Sequence, residues 1–165
     1  MQKATLTHHF SFPFETLVEI REGRYNHLDI WDMFSAALLI HEEQETSIRK
    51  RQYKLIIRTA LPLIAQKLLA KGERLSCEEN TVLDKNKREY RSQTSLHIAN
   101  SAIQFHENSI YLPNGENQSK CIIEIEANIK VPAIGKLIEK LIVHEFREQS
   151  TVDMQKIQKF YNDNY

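Results

Sequence analysis

The sequence predicts an α+β domain in which an antiparallel sheet of about seven strands is covered by one long C-terminal helix. Three observations lead there. First, the stretch "KCIIEIEANIKVPAIGKLIEKLIVHEF" (120–146) changes its apolar period in the middle. Cys121, Ile123, Ile125, Ala127, Ile129 and Val131 alternate, whereas Ile134, Leu137, Ile138, Leu141, Ile142 and Phe146 recur three or four apart. A period of two marks a strand with one buried face, and a period near 3.6 an amphipathic helix. Second, the middle of the chain is a run of alternating segments separated by short turn signals, which makes neighbouring strands antiparallel. Third, such a sheet must cover its apolar face, and a helix over 134–162 spans about 40 Å at 1.5 Å per residue.

The elements follow in order. "ATLTHHFSF" (4–12) alternates, placing Ala4, Leu6, His8, Phe10 and Phe12 on one face of a strand. Pro13 with Glu15 opens a helix that runs through Leu17, Val18 and Ile20 to Gly23. Residues 26–33 suggest a second short helical turn. Two strands cover 34–45 and 48–59, the second with Arg49, Arg51, Tyr53, Leu55 and Ile57 on one side. Pro62 opens a short helix that closes at Gly72. Strands over 73–83, 87–98 and 102–112 follow, with turns at "DKNK" and "PNGENQ"; Asn114-Gly115 is a strong hairpin signal. The last strand spans 118–131, and Pro132, which cannot donate a ladder hydrogen bond, ends it.

At 165 residues the chain suits a single domain, 1–165, with one substantial core. Lys plus Arg and Asp plus Glu both total 22, so no global charge draws nucleic acid or an anionic membrane. Basic and aromatic residues interleave at "RKRQYK" and "KREYR", but acids nearby leave no polyanion track, and no nucleic-acid partner is expected. There is no apolar run of 18 residues for a transmembrane helix and no signal-peptide pattern at the start, so a cytoplasmic location is the expectation. Cys77 and Cys121 lie far apart without CxxC spacing and read as buried, reduced thiols.

Local catalytic and metal-binding motifs are absent. His144 and Glu148 stand at i and i+4, but no HExxH or Cys/His cluster accompanies them, so they read as a helix-surface pair and no metal is expected. No Gly-x-Ser-x-Gly elbow or glycine-rich phosphate loop occurs, and no cofactor is implied. His8 shares the face of Leu6 and Phe10 and therefore points inward; His9, its neighbour, points outward.

The order of elements resembles the helix-grip fold of the START-like superfamily, also called SRPBCC, which includes Bet v 1-type proteins. Val131, Pro132, Gly135, Ile138, Glu139 and Lys140 look most like an uncharacterised bacterial family within it, and "ALPLIAQKLL" (60–69) is similar to that family's Leu-Pro helix. The resemblance implies a cavity between the sheet and the terminal helix, holding a lipid or other hydrophobic small molecule without catalysis. Inward parity assigns its lining to Leu6, His8, Phe10, Tyr53, Leu55, Ile57, Tyr90, Phe105, Ile125, Leu141, Ile142 and Phe146. Resemblance to other helix-grip proteins puts Trp31 at the entrance. The helix is expected to lay Leu137, Ile138, Leu141, Ile142 and Phe146 on the sheet and leave Glu139, Lys140, Arg147 and Glu148 in water. Two alternatives stay open. One is a START-like enzyme of the cyclase/aromatase or hydrolase type with His8 or His97 as acid/base; the other is a filled cavity whose outer surface binds a protein.

Overall fold

The computed structural model describes residues 1–28, 31, 34–58, 75–98 and 102–165, the side chains of 97 and 98 excepted. The helix expected after Pro62, half of the turn expected over 26–33 (29, 30, 32 and 33) and the His97 side chain lie outside the described residues. Seven strands form one antiparallel sheet: β1 (Gln2–Phe10), β2 (Phe34–Gln44), β3 (Ile48–Ile57), β4 (Ser76–Asp84), β5 (Glu89–Ile98), β6 (Ile103–Pro113) and β7 (Ser119–Ile129). Their order across the sheet is β1-β7-β6-β5-β4-β3-β2, a meander from β2 to β7 with β1 added beside the last strand. The two strands nearest the N-terminus are therefore the two edges. Helix α1 (Phe14–Gly23) and a 3-10 turn (Arg24–Asn26) begin the connection between them, and helix α2 (Gly135–Asn164) covers the sheet.

Local chemistry accounts for these boundaries. Pro13, extended at φ −63° and ψ 159°, precedes the first turn of α1, where Glu15 faces the positive end of the helix. At the β4–β5 turn the Asp84 carboxylate accepts the N–H groups of Asn86 and Lys87, both at 3.0 Å. Gly115 takes φ +105° in the β6–β7 turn, where Asn114 N–H donates to Gln118 O at 2.9 Å. In β7 the buried set is Ser119, Cys121, Ile123, Ile125, Ala127 and Ile129, the alternation read from the sequence. Cys77 and Cys121 are buried free thiols. Burial pushes each up to about 12, which keeps them protonated and unreactive.

The passage from β7 into α2 is tight. Gly135 N–H returns to Val131 O at 2.9 Å, and a Cβ on Gly135 would stand 2.5 Å from the Ile129 carbonyl oxygen. Only glycine lets the two backbones approach that closely.

The face of α2 that meets the sheet differs from the expectation. Ile138, Ile142, Val143, Ser150, Asp153, Met154 and Ile157 are buried. Leu137 and Leu141 are 52% and 37% exposed and face away, and Glu139, expected in water, is buried. The reason is polar. The Glu139 carboxylate accepts the N–H of Ile129 at 3.0 Å and faces the Met1 ammonium at 2.9 Å, which turns that side of the helix inward. Lys140, Arg147 and Glu148 are exposed as expected, as is His144. Edge strand β2 carries register shifts at Phe34/Ala36 and Leu39/His41, and every residue from Leu39 to its end is exposed. No described helix is long and apolar enough to cross a membrane.

Candidate functional site

Helix α2 packs on β1, β7 and α1, so it rests on one side of the sheet. A cavity of about 50 Å³ lies on its other flank. The sheet side is walled by Phe34 of β2, Ile57 of β3, Cys77 of β4, Leu96 of β5, Phe105 of β6 and Ile123 of β7. Helix α2 contributes Ile142, Phe146 and Met154, and the Phe146 ring stacks on Phe105 with centroids 3.8 Å apart. These walls are apolar because each strand presents its inward alternate residues there.

One end of the cavity is polar. Arg24, from the 3-10 turn, lies there with Glu107 of β6 and with Ser150 and Asp153 of α2, and Glu145, Gln149, Thr94 and Tyr111 also line the cavity. Behind Arg24 lies a buried ionic network. Glu79, on the inward face of β4, accepts hydrogen bonds from Arg21, from Arg24 Nη2 at 3.1 Å and from the Tyr25 hydroxyl at 2.8 Å. Arg21 also donates through Nε to Tyr111 Oη at 2.9 Å and through Nη1 to Tyr25 Oη at 3.0 Å. Arg24 Nη1 donates to Asp153 Oδ2 at 3.1 Å, which ties the network to α2. Glu107 accepts the Ser109 hydroxyl at 3.2 Å and the Ser150 hydroxyl at 3.4 Å, a second tie between sheet and helix.

The two inward-facing glutamates, Glu79 buried and Glu107 half-buried, titrate in opposite directions. Burial alone raises both. At Glu79 the Arg21 and Arg24 guanidinium groups outweigh it and hold the carboxyl at about 2. At Glu107 burial prevails over Arg24, with Glu79 adding to it, and the carboxyl lies above its ordinary range. A carboxyl of that kind at a cavity wall can exchange a proton with whatever occupies the space. His8 is half-buried, and burial, then the charge of His9, lowers its imidazole; its buried Nε2 has no hydrogen-bond partner among the described residues.

Of the residues assigned from the sequence, the structure brings Ile57, Phe105, Ile142 and Phe146 together around the cavity. Phe10, Tyr53, Leu55, Tyr90 and Ile125 are buried in the core but are not among the lining residues, and Leu6 and His8 are half-buried on β1 beside α2. Trp31, expected at the entrance, is core at 2% exposure. Leu141 faces away for the reason given above. The polar end was not assigned: Arg24, Glu107 and the pair Ser150 and Asp153 lie on three separate stretches of chain. A signal did exist, because Glu79 and Glu107 stand at inward positions of their strands, where alternation calls for apolar side chains. Among the described residues no three His, Cys, Asp or Glu side chains are grouped to hold a metal ion.

Comparisons with known proteins place this architecture. No curated protein matches the sequence. Among solved structures, the Zhui aromatase/cyclase from Streptomyces sp. R1128 superposes with a TM-score of 0.67 at 8% identity, over 96% of this chain and 92% of that one. Norcoclaurine synthase from Thalictrum flavum, in complex with dopamine and hydroxybenzaldehyde, gives 0.62 at 13% identity over 99% and 88%. A START superfamily protein from Mycobacterium smegmatis gives 0.60 at 10% over 96% and 98%. At such identities the likeness is one of fold, and the fold is START-like. The family model for "PRELI-like family" matches residues 17–162, nearly the whole domain. The chain thus belongs to the PRELI-like family, on a START-like helix-grip fold.

Proposed function

We propose that the protein binds a lipid or other hydrophobic small molecule between the sheet and α2, as a non-enzymatic carrier or sensor. The observation that carries this reading is the cavity itself, walled by apolar residues from six strands and the helix and closed at one end by polar groups. Ligand pockets have this composition, an apolar lining with a few placed polar groups. Membership of the PRELI-like family and the small molecules held by norcoclaurine synthase support it.

Size sets a condition on the reading. The cavity is about 50 Å³, against roughly 300–1,000 Å³ for drug-sized ligands. Binding therefore requires the flank of α2 to move outward. That flank is held by the Phe146–Phe105 stack, the Ser150–Glu107 hydrogen bond and the Asp153–Arg24 pair, each a side-chain contact rather than backbone pairing.

Native mass spectrometry of freshly purified protein, with organic extraction of whatever is bound, tests the proposal. The expected result is a co-purifying apolar molecule whose occupancy falls in Ile142→Trp, a variant that fills the cavity. Protein that arrives empty and also fails to take up an apolar fluorescent probe would sink it.

Catalysis in the same cavity is the competing reading, favoured by one observation, the Glu107 carboxyl at the wall. It requires that an extracted ligand change mass on incubation with the protein and remain unchanged with Glu107→Gln.

A further inference from the structure

We infer that β2 is a surface through which the chain pairs with a second copy of itself, edge to edge and antiparallel, about a two-fold axis at Leu39. The inference is independent of what the cavity holds.

Among the described residues β2 pairs with β3 alone and forms one border of the sheet. Leu38, Leu39 and Ile40, three successive large apolar side chains, are 53%, 50% and 59% exposed. Edge strands present a row of unpaired N–H and C=O groups, and folds guard them with charged side chains, a proline, a bulge or a cover. The opposite edge is guarded: α2 packs on β1, whose exposed residues include Lys3 and His9. In β2 the middle is apolar and the acids sit at one end. Its guards are the register shifts at Phe34/Ala36 and Leu39/His41, which twist the strand without covering it. A partner related by a two-fold axis carries the same twist.

The order of residues along β2 selects the occupant. Ser35, Ala36 and Ala37 are small and neutral, Leu38, Leu39 and Ile40 are apolar, and Glu42 and Glu43 make the far end acidic. Rotation about Leu39 lays the two apolar centres on each other and sets the acidic end of each copy beside the small neutral end of the other. No charge then meets its like. A parallel pair in register would set Glu42 against Glu42, and like charges directly opposite destabilise a sheet. A basic peptide gains little here, because Arg51 Nη2 already donates to Glu42 at 3.3 Å and Lys50 Nζ to Glu43 at 3.4 Å. An acidic one is repelled. Two strand edges bury less than the ~1,200 Å² of durable complexes, so the dimer should form reversibly.

Analytical ultracentrifugation of the full chain, from low to high micromolar concentration, tests the proposal. The expected result is a mass that rises from one chain to two and stops there. Ile40→Lys, at an exposed position, should stay monomeric with an unchanged urea midpoint. Leu39→Cys under mild oxidation should give a disulfide-linked dimer, since residues directly opposite in an antiparallel pair have Cα atoms about 4.5–5.5 Å apart. Glu43→Cys should not, because Glu43 lies four residues past the axis in each copy, a separation of about 27 Å at 3.4 Å per residue. Cys77 and Cys121 are buried and leave this readout to the introduced thiol. A wild-type chain that is monomeric at every concentration overturns the proposal. So does one that floats with phosphatidylcholine vesicles in place of pairing, which gives Leu38, Leu39 and Ile40 to a membrane. Growth past the dimer overturns two-fold closure and assigns an open contact of β2 on β1. Cross-linking by both cysteine variants, or by neither, overturns the antiparallel pairing at Leu39, and an Ile40→Lys chain that still dimerises moves the contact off β2. Should Ile40→Lys fail to fold, the cysteine pair decides.

Discussion

Glu79 is fully buried among Arg21, Arg24 and Tyr25, and its titration has a definite sign. The folded-state value of about 2 lies below the carboxyl's ordinary 4.5, so the ionised form favours folding. That contribution is complete above 4.5 and is lost as the pH falls through about 2. Removing the charge at neutral pH leaves two buried guanidinium groups short of a partner, and breaking a buried pair costs about 3–5 kcal/mol. Glu79→Gln should therefore lower the unfolding free energy by that much at pH 7, seen as a lower urea midpoint, and the gap to wild type should narrow only below pH 4.5. An equal midpoint at pH 7 would mean that Asp153 and the tyrosines suffice for the arginines. Residues of this kind are half legible in a sequence. Alternation along β4 reads Cys77, Glu79, Thr81, Leu83 on the inner face, so the acid is conspicuous. Its partners are 55 and 58 residues away, and nothing local marks Arg21 and Arg24 as its counter-charges.

At the scale of the element, α2 shows how an apolar pattern can mislead by part of a turn. Ile134, Leu137, Ile138, Leu141, Ile142 and Phe146 spread over two adjoining faces of the helix, and either can be turned to the sheet. Glu139, Ser150 and Asp153 decide between them, through Ile129 N–H, Glu107 and Arg24. Each partner lies on a different element, which is why the extent of the helix was readable and its rotation was not. Ile142→Ala should accordingly cost about 2–5 kcal/mol, as for a buried aliphatic truncated in a packed core. Leu141→Ala should cost under about 1 kcal/mol, since much of that side chain is already in water. Equal losses, measured by chemical denaturation, would contradict the observed rotation. The strands were more legible, because a period of two allows one error, a slip by one residue, and turn signals at "DKNK" and Asn114-Gly115 excluded it.

For the whole molecule, the meander from β2 to β7 follows from short turns, but the place of β1 does not. Its pairing with β7, from Gln2↔Ala127 to Phe10↔Ser119, joins the two ends of the chain and came into view only through the likeness to helix-grip proteins. That pairing also stops short. Past Ala127 strand β7 has no β1 neighbour, and the Ile129 amide turns to Glu139 instead of a strand. Fourteen residues separate Glu139 from Asp153, about 21 Å along the axis, so two polar ties hold the helix at well-separated points. The Ile129 amide is consequently a built-in gauge of the nearer tie. Its proton exchanges with solvent only when the first turns of α2 rise, whereas the Arg24 guanidinium protons report on the other end. Watching both by NMR as an apolar molecule is added separates a helix that lifts as a rigid rod from one that peels from a single end.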